Sequence, residues 1–82
     1  MPRYAIQDDL SDRPLTRVLA ADTPQLAAER YIEHWCHRYG QYHDLPTITV
    51  RNIATQEQWI FDASTTISIQ FHANLIGHVK PV

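Results

Sequence analysis

The chain has 82 residues, 44% of them hydrophobic and 20% charged, with a formal net charge of −2. One small domain with its own core fits that length, while multidomain assemblies, solenoids and large enzymes do not. Seven basic residues against nine acidic ones exclude both a strongly cationic nucleic-acid binder and an acidic mimic of nucleic acid. By size scaling, folding buries roughly 63% of the surface of such a chain, enough for a core with little margin.

Residues 3–7 alternate, with Tyr4 and Ile6 on one face, and predict a short strand. The polar run 8–14 ends in Pro14 and predicts a loop or wide turn. Residues 15–21 predict a second strand, forming a hairpin with the first. Asp22-Thr23-Pro24-Gln25 then offers a helix start: a side-chain cap followed by proline, whose missing N–H costs nothing in the first turn. Ala28, Tyr31, Ile32, Trp35 and Tyr39 fall at helical spacing on one stripe, and Gly40 sits where a left-handed residue ends a helix. The predicted helix runs over 24–39.

After a connector stopped by Pro46, residues 47–51 alternate with Ile48 and Val50 inward, and 52–57 turn the chain. Residues 58–63 alternate again, with Trp59, Phe61 and Ala63 on one face. The last predicted strand sets Ile67, Ile69, Phe71, Ala73 and Leu75 on one side and Ser68, Gln70, His72 and Asn74 on the other. Gly77 is expected to end it, leaving His78 to Val82 as a tail. The order is ββαβββ. It predicts an α+β fold: one antiparallel sheet carrying one amphipathic helix on one face, with the other face wet. The expected core is Tyr4, Ile6, Val18, Ala28, Ile32, Trp35, Ile48, Val50, Trp59, Phe61, Ile69 and Phe71. Which strands are neighbours is not readable from the pattern.

His34 and His37 stand three apart on the helix, with His43 and Asp44 close behind, a spacing compatible with zinc. The HExxH signature is missing, and cationic side chains are favoured near a helix C-terminus in any case, so a solvated face is the better account. Cys36, the only cysteine, lies at the edge of the apolar stripe and reads as a structural thiol rather than a nucleophile. Asp8, Asp9 and Asp12 lack calcium-loop spacing and suit turn chemistry. With two glycines there is no phosphate-cradling loop, and no nucleophile elbow or paired catalytic carboxylate is present. The expectation is a non-enzyme without a cofactor. No apolar run reaches membrane-spanning length, and the first nine residues show no signal core, so the expected location is cytoplasmic.

Two interaction classes remain. A nucleic-acid-binding regulator could use the modest basic stripe of the helix, but a base-stacking sheet needs exposed aromatics, and here the aromatics share faces with apolar residues. A protein partner, or a protein complex, suits Arg30, His34, Arg38, Tyr42, Arg51 and His72, residue types that anchor interfaces. An edge strand also offers a route to a homodimer.

The layout Tyr4-x-Ile6-x-Asp8, then Ala21-Asp22-Thr23-Pro24-Gln25-x-Ala27-Ala28-Glu29-x-Tyr31, then Ile48-Thr49-Val50-Arg51 and Trp59-Ile60-Phe61-Asp62, resembles small uncharacterised α+β proteins carried by bacteriophages and other mobile elements of proteobacteria. Some proteins of that style are anti-CRISPR inhibitors, which act by occluding a protein complex. The resemblance spans most of the chain, transfers no site residue, and implies a stoichiometric binder.

Overall fold

The computed structural model describes residues 1–9, 17–40, 45–65 and 71–81. The elements are β1 (Arg3–Asp8), β2 (Arg17–Ala20), α1 (Pro24–Tyr39), β3 (Thr47–Asn52), β4 (Gln58–Thr65) and β5 (Phe71–Val79). The strands form one sheet in the order β2-β1-β3-β4-β5. Every neighbouring pair is antiparallel. Helix α1, the one helix among the described residues, packs on one face, giving the expected α+β architecture.

Local chemistry accounts for both ends of α1. Thr23 takes an extended backbone, and its Oγ1 accepts the Leu26 N–H at 3.1 Å. Pro24 follows in the first turn, and Gly40 closes the helix in the left-handed region at φ 62°. The buried face is Ala27, Ala28, Tyr31, Ile32, Trp35 and Cys36. Small Ala27 and Cys36 let the helix approach the sheet. Tyr39, expected on this stripe, is instead well exposed, its ring lying against Trp35 with centroids 5.1 Å apart. It falls in the final turn and leans on its own helix rather than on the sheet.

The core joins that helix face to Tyr4, Ile6, Ile48, Val50, Phe61 and Ala73, with Leu19, Trp59 and Phe71 partly buried around it. Register decides membership. Tyr4 pairs with Leu19 and Ile6 with Arg17, so the helix-side positions of β2 are 17 and 19. Val18, expected in the core, pairs with Ala5 and faces the open side, half exposed. A slip of one residue exchanges the faces of a strand, and the ambiguous alternation of this segment left that choice open.

The last strand also departs from expectation. Gly77 lies inside β5 opposite Ile60, and His78 and Val79 continue the strand rather than forming a tail. A Cβ on Gly77 would stand 3.2 Å from Ile60 Cδ1, so the glycine makes room for the isoleucine across the pair. Between Ile60 and Phe61 the register shifts: Ile60 faces Gly77 while Phe61 faces Leu75, leaving Ile76 as the extra residue. Leu75, expected inward, is half exposed because this stretch of the edge strand extends past the helix's cover. Ile67, Ile69 and Gln70 lie outside the described residues.

Asn52 organises the β3–β4 turn, its Oδ1 accepting the N–H groups of Ala54 and Thr55 at 2.9 and 3.1 Å. Among the described residues no helix is long and apolar enough to cross a membrane.

Candidate functional site

Five of the six predicted contact residues lie among the described residues; they divide between the flank of α1 and the sheet, and the structure does not bring these five into one patch. Arg30 donates from Nη1 to the carbonyl of Ala20 at 3.0 Å, tying the helix to β2. His34 accepts at Nε2 from Arg17 Nη1 at 2.7 Å. Because a guanidinium only donates, this bond requires an imidazole with a free lone pair on Nε2. Arg38 stays exposed, its guanidinium carbon 5.8 Å from the centroid of the Tyr39 ring. Tyr42 lies outside the described residues. Two of the three helix candidates therefore brace the helix against β2, and nothing in their sequence spacing signals it, because Arg17 arrives from a separate strand.

The same flank carries a second polar contact. Tyr31 donates its hydroxyl to Asp8 Oδ2 beside it. Burial, the Asp8 bond and the nearby negative charge hold the Tyr31 phenol far above its ordinary range. Asp9 accepts the Thr47 N–H at 2.8 Å through Oδ1 and donates its own N–H to the Thr47 carbonyl at 3.2 Å. Asp8 and Asp9 thus serve the strand ends, while Asp12 lies outside the described residues.

On the uncovered face, Arg51 stands at the centre of the sheet between its cross-strand partners Ala5 and Gln58. It is exposed, and its guanidinium makes no hydrogen bond or ion pair among the described residues. A shallow hollow lies here, lined by Ala5, Gln7, Thr49, Arg51 and Gln58. Ala5 explains it: a methyl group among four long or branched neighbours leaves a depression. The row through Arg51 ends in exposed aliphatics at both margins, Val18 opposite Ala5 and Val79 opposite Gln58. The result is a polar centre with apolar shoulders.

His72 was expected on this face as a contact. It is only partly exposed, opposite Ser64, and its Nε2 is shielded from solvent without a hydrogen-bond partner among the described residues. That nitrogen is not presented to a partner.

No family model, no curated protein and no solved structure matches the chain.

Further chemistry is set by placement alone. Among the described residues no three His, Cys, Asp or Glu side chains converge as a metal site would require. His34 is engaged with Arg17, His37 stands 3.9 Å from Glu33, and His43 lies outside the described residues. At the far end of the sheet His78 stacks on Trp59, with centroids 5.4 Å apart and planes 8° from parallel, and contacts Glu57 Oε2. Trp59 in turn meets Tyr4 edge-on at 6.1 Å. The sequence pattern, in which Gly77 reads as the end of the strand, gives no signal of this stack.

Cys36 is fully buried, and burial pushes its thiol up. In the native protein it should react with a thiol reagent at least roughly a hundredfold more slowly than in denaturant. Stopped-flow labelling with and without urea checks this, and equal rates would place the thiol at the surface.

Proposed function

We propose that this chain is a non-catalytic protein-binding module that engages its partner stoichiometrically through the uncovered face of the sheet. The observation carrying the reading is Arg51: an exposed guanidinium without a hydrogen bond or ion pair among the described residues, beside a hollow and shouldered by Val18 and Val79. Arginine at a position a partner can desolvate is among the residues that dominate interface energetics. The neighbouring Gln7, Thr49 and Gln58 are neutral polar groups suited to orienting a contact, and none of them is a nucleophile with an adjacent base. Among the described residues the uncovered face carries no Phe, Tyr or Trp, the side chains best suited to base stacking, which disfavours the nucleic-acid reading. Resemblance to phage-borne proteins supplies the class of target: a host defence complex, inhibited by occlusion as anti-CRISPR proteins do.

The test is capture from the native host with nuclease present, comparing the parent with Arg51→Glu. One protein complex should be retained by the parent and reduced at least roughly tenfold by the variant, with the melting temperature within a degree or two. Arg38→Glu serves as a second probe. Reversal at Arg30 is less informative, because it also breaks the bond to Ala20. Retention unchanged by Arg51→Glu would remove the sheet face from the proposal, and loss of the captured material on nuclease treatment would make nucleic acid the partner.

A further inference from the structure

β5 ends the sheet, and among the described residues nothing pairs with its outer side. Its nine residues run Phe-His-Ala-Asn-Leu-Ile-Gly-His-Val, without Asp, Glu, Lys, Arg or Pro. The usual protections of an exposed edge are shortness, an edge lysine or a proline. The opposite edge has them in part, since β2 is four residues long and begins with Arg17. On β5 the charge and the proline come only after the strand, at Lys80 and Pro81. A bulge is present at Ile76, but it sets an isoleucine outward instead of a charge.

Three aliphatic side chains of this edge are more than half exposed: Leu75 at 54%, Ile76 at 61% and Val79 at 53%. They do not share one face. Leu75 lies opposite Phe61 on the helix side, Val79 opposite Gln58 on the uncovered side, and Ile76 at the bulge between them. A helix laid on either face would cover only part of this set. A further strand sends alternate side chains to both faces and also satisfies the open backbone groups along the edge.

We infer that the occupant is a second copy of this chain, joined β5 to β5 in antiparallel fashion about a two-fold axis. The edge segment is free of formal charge, so its own copy brings no like-charge contact along the seam. The chain's net charge of −2 adds little long-range repulsion between copies. Antiparallel pairing is the geometry of every other pair in this sheet, and the two-fold makes the patch self-complementary. The product is a continuous ten-stranded sheet with a helix on each half. Val79 is shared with the row through Arg51, so Ile76→Lys, at the bulge, is the variant that separates dimerisation from the partner-binding role of Arg51.

Sedimentation equilibrium of the full chain should give a concentration-dependent species of twice the 9.5 kDa chain mass. Ile76→Lys and, separately, Val79→Lys should each weaken dimerisation at least roughly tenfold, with far-ultraviolet circular dichroism unchanged. Amide exchange slowed with concentration in β5, and not in β2, is the matching signature in the parent, which needs no variant to fold. A chain monomeric up to its solubility limit would overturn the inference. So would a dimer indifferent to both lysines, whose interface must lie elsewhere, or a monomer whose β5 amides are protected only by a different protein.

Discussion

Replacing Phe61 by alanine should cost about 3–5 kcal/mol of folding stability. Phe61 is 2% exposed and belongs to the cluster that joins the sheet to α1. It stands opposite Ile48 on β3 and Leu75 on β5, so its ring fills the space where the central sheet meets the edge strand. The loss combines the transfer energy of the ring with the cavity left behind, which the surrounding β-branched residues can fill only partly. An 82-residue domain commands about 4–12 kcal/mol in total, so Phe61→Ala should remove roughly a quarter or more of the stability and, at the lower end of that range, unfold the chain. Phe61→Leu, closer in volume, should remain folded. Urea titration followed by tryptophan fluorescence reads both. A Phe61→Ala variant within about 1 kcal/mol of the parent would show that the site collapses freely and that the core is organised around other residues.

The second large effect belongs to Tyr31. Its hydroxyl donates to the Asp8 carboxylate while the ring is buried in the core, so Tyr31→Phe should cost about 1.5–3 kcal/mol, the range for a hydrogen bond to a charged group. The phenol is raised far above 10 in the folded chain, so folding holds its proton more tightly than the unfolded chain does. Its contribution is fully present below pH 10 and is lost as pH rises above 10 toward the folded value. Tyr4 is raised as well, by burial and by the charges of Asp22 and Glu57. The parent should therefore keep a constant phenol contribution up to about pH 9 and then lose stability steeply. Tyr31→Phe should start lower and fall less steeply, with the remaining slope due to Tyr4. Chemical denaturation at intervals between pH 7 and 11.5 measures it. Parallel curves for parent and variant would mean that the Tyr31 proton is not linked to folding.

The helix was legible almost entirely. A Thr-Pro start, a left-handed glycine stop and 3.6-residue spacing between them are local signals, and local signals survive without knowledge of the fold. Tyr39 shows their reach: the spacing extends the stripe to the last turn, but the sheet beneath ends earlier. The strands β1, β3 and β4 were legible for the same reason, their alternation being clean. Where alternation weakens, at Val18, the pattern points to the wrong face, because the partner strand chooses it. In the sequence alone Gly77 reads as a stop, because isolated glycines commonly are; only Ile60 on the neighbouring strand explains why one sits inside β5.

The candidate contacts divide along the same line. Residue type identified Arg30, His34, Arg38 and Arg51 as groups able to make strong polar contacts. It could not say which were already occupied. Arg30 is engaged by Ala20 and His34 by Arg17, both from β2, whereas Arg51 makes no hydrogen bond or ion pair among the described residues. The β5 edge was anticipated only in general terms, since edge position depends on strand order.

From its own local chemistry this sequence determined the number and type of its elements, the ends of its helix and most of its core, because capping, periodicity and burial act within a few residues. Strand order, the faces of β2 and β5, the pairing of arginines across elements and the exposed aliphatic edge were decided by the tertiary structure. They depend on which distant segments meet, and an individual segment carries no record of its neighbour.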